Sequence, residues 1–147
     1  MSLWDAPEAA AIAEIKRLHI FFETWFAGRA PQARLETDLA QVLHPQFAYV
    51  MPSGAVVDRA DVLEMIRPAY GSNPAFRIDI PAPNLPGAFA EARLLPATYV
   101  EHQFGAINTT PPENARRATV LFEVAGGKLT WRHIQETGLP AGDTAAP

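Results

Sequence analysis

The helical spacing of apolar residues stops at about Ala75, and that change limits the possible folds more than any other feature of the chain. After it come four strand-like segments, FRIDI, ARLLPATYVEHQF, ARRATVLFEV and KLTWRHIQET. Aromatic and β-branched residues fill these segments. Turn signals separate them at Pro81 to Gly87, at Asn108 to Asn114 and at the Gly126-Gly127 pair, which marks a tight hairpin. Helices first and strands afterwards imply an α+β fold, with a sheet wrapped over helices, rather than the alternating units of a parallel sheet.

The helical part is readable from its apolar stripes. Ala6 to Ala27 places Ile12, Ile15, Leu18, Phe22, Trp25 and Phe26 on one broad face, with Asp5 positioned to cap the helix and Gly28 to stop it. A second helix is expected from about Pro31 to Leu43, buried through Leu35, Leu39, Val42 and Leu43 and ended by His44-Pro45. QFAYVMPSGAVVD then reads as two short strands around the turn Pro52-Ser53-Gly54. Asp58 begins a third helix with Asp61 at its N3 position; Val62, Leu63, Ile66 and Tyr70 form its stripe, Pro68 bends its end and Gly71 closes it. Pro96, inside the longest strand, predicts a bulge or bend there. The expected organisation is one domain over 1–138, followed by a tail over 139–147 with little to bury.

Composition removes several classes of function. Twelve Lys and Arg against sixteen Asp and Glu give a formal charge of −4, and the basic residues are scattered, so no clustered cationic surface for nucleic acid is expected. The absence of cysteine excludes disulfides, thiolate nucleophiles and zinc–cysteine sites. His19, His44, His102 and His133 show no metal-binding spacing, and no phosphate-binding loop or GxSxG elbow occurs. No metal and no cofactor are therefore expected. No apolar run is long enough to span a membrane and no signal segment opens the chain, so a cytoplasmic location is the expectation.

The order helix, helix, short hairpin, helix, long strands resembles nuclear transport factor 2-like and SnoaL-like domains. FAYVMPSGAVVDRADVLEMI is similar to the piece those domains place before and into the third helix, and GGKLTWRHIQET to their last strand; the resemblance covers about Ile12 to Thr137. It implies a cone-shaped half-barrel with three N-terminal helices packed on a curved, mainly antiparallel sheet. It also implies a pocket at the open end, and often a dimer formed through the sheet's outer face. Ketosteroid isomerases of this superfamily carry an aspartate base just before the turn of the hairpin. Here Met51 stands at the matching position, and a thioether cannot take a proton at neutral pH.

Strand alternation sorts the candidate functional residues into two faces. Val120, Phe122 and Val124 are read as inward, with Ile134, Arg132 and Glu136 on the last strand and Val100, His102 and Phe104 on the longest. His102 is then the candidate acid/base, with Glu136 and Arg132 to tune it, against the alternative of a core histidine bonded to a neighbour. His19, on the flank of the first helix's apolar face, presents the same choice. Phe22, Trp25, Tyr49, Met51, Tyr70 and Phe122 are the candidate ligand-binding residues, or simply core. Tyr99, Glu101, Arg117, Leu121, Trp131 and His133 fall on the outer face, where a large aromatic requires cover and suggests the centre of a homodimer interface. The functional expectation is a protein that binds a small apolar or aromatic molecule and isomerises, hydrates or dehydrates it by acid/base chemistry. The alternative is a non-catalytic homodimeric binding or accessory domain, which a pocket sealed by side chains would favour.

Overall fold

The computed structural model describes residues 6–85 and 93–140. Helix α1 (Pro7–Phe26) is followed by a short α2 (Arg34–Asp38), strands β1 (Leu43–Val50) and β2 (Val56–Asp58), and helix α3 (Arg59–Ile66). Strands β3 (Arg77–Asp79), β4 (Leu94–Phe104), β5 (Asn114–Ala125) and β6 (Lys128–Gly138) complete the chain. The strands form one six-stranded sheet in the order β2-β1-β6-β5-β4-β3, antiparallel except where β1 runs parallel to β6. This is the expected α+β arrangement. Among the described residues no helix is long and apolar enough to cross a membrane.

Local chemistry accounts for most of the boundaries. Asp58 caps α3 by accepting from the Asp61 amide at 2.8 Å while the Asp61 carboxylate accepts from the Asp58 amide at 3.0 Å. Gly126 and Gly127, both at positive φ, form the two-residue turn between β5 and β6. Gly28 and Gly71 share a close backbone approach, and a Cβ on Gly28 would lie 3.1 Å from the Gly71 Cα. Asp5, expected to cap α1, lies outside the described residues, and Ala6 stands at the N-cap with no side-chain bond. Most of the expected tail also lies outside them.

Several expectations need correction. The second helix stops at Asp38 and becomes a single tight turn over Ala40–Val42, because Leu43 already belongs to β1. Pro45, with no amide to give a ladder, lies where the β1–β6 register shifts between Leu43 and Ala48. Pro96 produces no bulge, since β4 and β5 pair in unbroken register from Leu94↔Glu123 to Gln103↔Asn114. The Thr98 amide points away from β5, to Asn84, and Pro96 shares its parity, so the missing N–H is on the side β5 does not use.

The bulge is on β6 instead. Leu121 pairs with His133 but Phe122 pairs with Trp131, so Arg132 is an extra residue. The alternation therefore flips, and Trp131 as well as Ile134 turns inward. Trp131 is 0% exposed in the core, against Phe122 with ring centroids 4.6 Å apart, and its indole nitrogen donates to Glu14 at 3.1 Å. Around this pair pack Ile15, Leu18, Phe21 and Trp25 of α1, Leu95, Ala97 and Tyr99 of β4, and Val120 of β5.

Candidate functional site

A cavity of about 580 Å³ lies between α1, α3 and the inner face of the sheet. Phe22 and Phe26 of α1, Phe47 and Met51 at the β1 side, Ile66 of α3 and Ile78 of β3 make much of its wall apolar. A volume of that order suits a small organic molecule, and an apolar wall with a few polar groups is how such sites are usually built.

The polar part of the wall consists of two bonded clusters. In the first, His19 of α1 donates from Nδ1 to the Ile15 carbonyl at 2.6 Å, one helical turn back, and meets Glu101 Oε1 with Nε2 at 2.9 Å. A carbonyl can only accept, so Nδ1 carries hydrogen, and the His19–Glu101 contact is an imidazolium–carboxylate pair or the same pair with its proton moved across. Gln103 donates to Glu101 Oε2, and Asn114 holds the Gln103 oxygen at 3.3 Å. In the second cluster Tyr49 of β1 donates its hydroxyl to Glu136 Oε1, and the Arg116 guanidinium of β5 reaches the same oxygen at 3.0 Å. Among the described residues Glu136 Oε2 has no partner and none of the buried side-chain polar atoms is unpaired, so Oε2 is open to the cavity that Glu136 lines.

The sheet register explains why these groups meet. Glu101 and Arg116 are directly paired across β4 and β5, Glu136 is opposite Ala118, and Tyr49 is opposite Ile134. Glu101 and Glu136 are 4% and 7% exposed. Burial makes charge costly on both, but their partners differ. For Glu101, burial is outweighed by the hydrogen bond and charge of His19, and its pKa is lowered. For Glu136, burial and the nearby Glu101 charge prevail over the bonds from Tyr49 and Arg116, and its pKa is raised. Burial works against charge on His19, yet Glu101 overcomes it and the imidazole pKa is raised. Burial and the Glu136 charge push the Tyr49 hydroxyl far up, so it remains a donor. The result is two neighbouring carboxylates shifted in opposite directions, Glu101 toward its ionised form and Glu136 toward its protonated form.

The positions of the sequence candidates follow from the same geometry. Glu136 lines the cavity, as do Phe22, Tyr49 and Met51. His102 does not: β4 faces the cavity with Tyr99, Glu101 and Gln103, and His102 is on the opposite side. Arg132, the bulged residue, donates to the Gln46 carbonyl and lies 3.7 Å from Glu123. Trp25 is bonded to the Ile66 carbonyl at 2.7 Å and Tyr70 to the Gly28 and Ala30 carbonyls, while Phe122 is core beneath the cavity. Of the proposed interface set, Tyr99, Glu101 and Trp131 face inward; Arg117, Leu121 and His133 are on the outer face, which removes the aromatic centre from that surface. His19, considered only as an ambiguous flank residue, and Arg116 and Gln103 belong to the site. The cross-strand pairing of Glu101 with Arg116 was the available signal, but it needs a register the sequence does not state.

No family model matches the chain, and no curated protein does. Solved structures do. An NTF2-like protein of unknown function from Pseudomonas aeruginosa superposes with a TM-score of 0.75 at 27% identity, covering 87% of this chain and 97% of the other. An NTF2-like protein from Cytophaga hutchinsonii gives 0.69 at 14% identity, covering 89% and 97%. An uncharacterized protein with a cystatin-like fold from Caulobacter vibrioides gives 0.65 at 15% identity, covering 88% and 87%. Helix order, sheet order and these likenesses agree, and the chain has the nuclear transport factor 2-like fold.

Proposed function

We propose that this chain binds a small apolar molecule in the cavity and moves a proton on it with Glu136. The reaction class is isomerisation, or gain or loss of water, with the proton transfer supplied by the protein's own side chains. The observation that carries this reading is Glu136 itself: a buried carboxylate with raised pKa, fixed through Oε1 by Tyr49 and Arg116, with Oε2 left to a ligand. A raised pKa makes the carboxylate of such a group a stronger base toward a ligand proton. Glu136 Oε2 takes a proton from a carbon next to a carbonyl, and the C–H electron pair moves into the conjugated oxyanion. The resulting carboxylic acid returns the proton to another carbon, completing an isomerisation, or to a departing hydroxyl, which leaves as water. Glu101, occupied by His19 and Gln103, acts as a fixed negative charge that keeps Glu136 basic. An aspartate at the hairpin is then unnecessary, because the base comes from β6. The open cavity favours this reading over a non-catalytic accessory domain.

The test is proton exchange on a simple ketone. 2-Tetralone, with acidic C–H bonds beside its carbonyl, incubated in D₂O and followed by ¹H NMR, should take up deuterium faster with the protein than in buffer. Glu136→Gln keeps the shape and removes the base, and should slow the catalysed exchange by about 100-fold or more. Equal rates with both proteins, or no acceleration by the wild type, would overturn the assignment.

A further inference from the structure

We propose that the cavity selects for uncharged ligands, because every charge on its wall, among the described residues, already has an opposite partner within the wall. This deepens the proton-shuttle reading and rests on it for the use of the site, but its evidence is separate. Four charged side chains line the cavity among the described residues: His19, Glu101, Arg116 and Glu136. They form two ion pairs, His19–Glu101 at 2.9 Å and Arg116–Glu136 at 3.0 Å. With Glu136 ionised, two positive charges face two negative ones and the wall is neutral. The remaining lining polar groups, Tyr49, Tyr99, Gln103, Ser72, Asn73, Asn108 and Thr109, carry no charge at neutral pH.

An ionic ligand would enter without a free counter-charge. A carboxylate or phosphate would have to draw Arg116 or His19 from its present partner, leaving a buried carboxylate unpaired; an ammonium would do the reverse. Either loss is severe for carboxylates as buried as Glu101 and Glu136. A neutral molecule leaves both pairs intact and needs only hydrogen-bonding capacity, such as that of Glu136 Oε2. The mouth supports the same class. Met65 of α3 and Ile107 of the loop after β4 are large apolar side chains that line the cavity and are also well exposed, 45% and 64%. An apolar ligand gives them a partner that water does not.

The experiment compares three probes of one shape at pH 7.5 by isothermal titration calorimetry: 2-naphthol, 2-naphthoate and 2-naphthylmethylammonium. 2-Naphthol should bind, and each charged analogue should bind at least about 10-fold more weakly, the factor corresponding to about 1.4 kcal/mol. Glu136→Gln leaves Arg116 without its counter-charge and should raise the affinity of 2-naphthoate relative to that of 2-naphthol by about 10-fold. A charged probe that binds as tightly as 2-naphthol to the wild type overturns the inference, as does 2-naphthol failing to bind at about 1 mM. The wild-type ranking stands even where the variant does not fold. The two readings also fail differently. A Glu136 that does not catalyse ketone exchange leaves the charge ranking untouched, whereas a reversed ranking with exchange intact removes only this inference.

Discussion

At the scale of residues, the pair formed by His19 and Glu101 should dominate the pH dependence of stability. Burial penalises both charges, yet Glu101 has a lowered pKa and His19 a raised one because each stabilises the other. Glu101's contribution is present above its unfolded value and fades as pH falls through its lowered folded value. His19's contribution is complete below its unfolded value, about 6.5, and is lost as pH rises through its raised folded value. Glu136 has the opposite sign for a carboxylate: burial and the Glu101 charge favour its protonated form, so ionising it costs stability as pH rises from its unfolded value. Urea unfolding of the wild type between about pH 6 and 9 should therefore show stability falling with pH, through the raised His19 pKa. In His19→Gln the alkaline part of that fall should disappear, while Glu136→Gln should keep it. An unchanged slope in His19→Gln would show that the imidazole is not charged in the folded chain.

At the scale of elements, local signals were legible and long-range ones were not. Asp58 with Asp61, Gly126-Gly127 and the Pro52-Ser53-Gly54 turn act within a few residues, and each marks its structure in sequence. The inward set Val120, Phe122 and Val124 was also readable, since Thr119 and Glu123 mark the opposite face of β5 on either side of it. β4 gives no such guide. Leu95, Ala97 and Tyr99 face the core, but Val100 and Phe104 make its other face apolar too, and Glu101 and Gln103 lie inside at the cavity end. That reversal of expected polarity put His102 in the site and Glu101 outside it. On β6 the one-residue bulge at Arg132 depends on the partner strand, so simple alternation from Ile134 sent Trp131 to the wrong face. Trp131→Ala should accordingly act as a core deletion, costing about 3–5 kcal/mol in urea unfolding. Leu121→Arg, on the outer face, should cost far less. Comparable small losses for both would return Trp131 to the surface.

At the scale of the whole molecule, the apolar core and the cavity adjoin on one inner face and share residues such as Leu18 and Tyr99. The Trp131–Phe122 contact and the α1 residues Ile15, Leu18, Phe21 and Trp25 build a dense apolar core, while farther along the same strands Glu101, Arg116 and Glu136 line a cavity with an apolar mouth. A side chain at that mouth should therefore affect binding without affecting folding. Ile107 is the clearest case, being exposed in the free protein and removed from the core cluster. Ile107→Ser discards little buried area on folding, so the melting temperature of the unliganded protein should stay within about 1–2 °C of wild type, as a surface change of under ~0.5 kcal/mol implies. If the ligand packs on Ile107, the same change gives up part of the apolar area buried on binding and should weaken 2-naphthol by about 3- to 30-fold, the range expected when roughly 25–75 Å² is no longer covered. Differential scanning calorimetry with and without 2-naphthol measures both quantities, because a ligand at a fixed multiple of its Kd raises the melting temperature by mass action. The variant should melt with the wild type when empty and below it when the probe is present. A drop in the empty state would make Ile107 part of the fold, and equal melting in both states would show that the ligand does not enter past it.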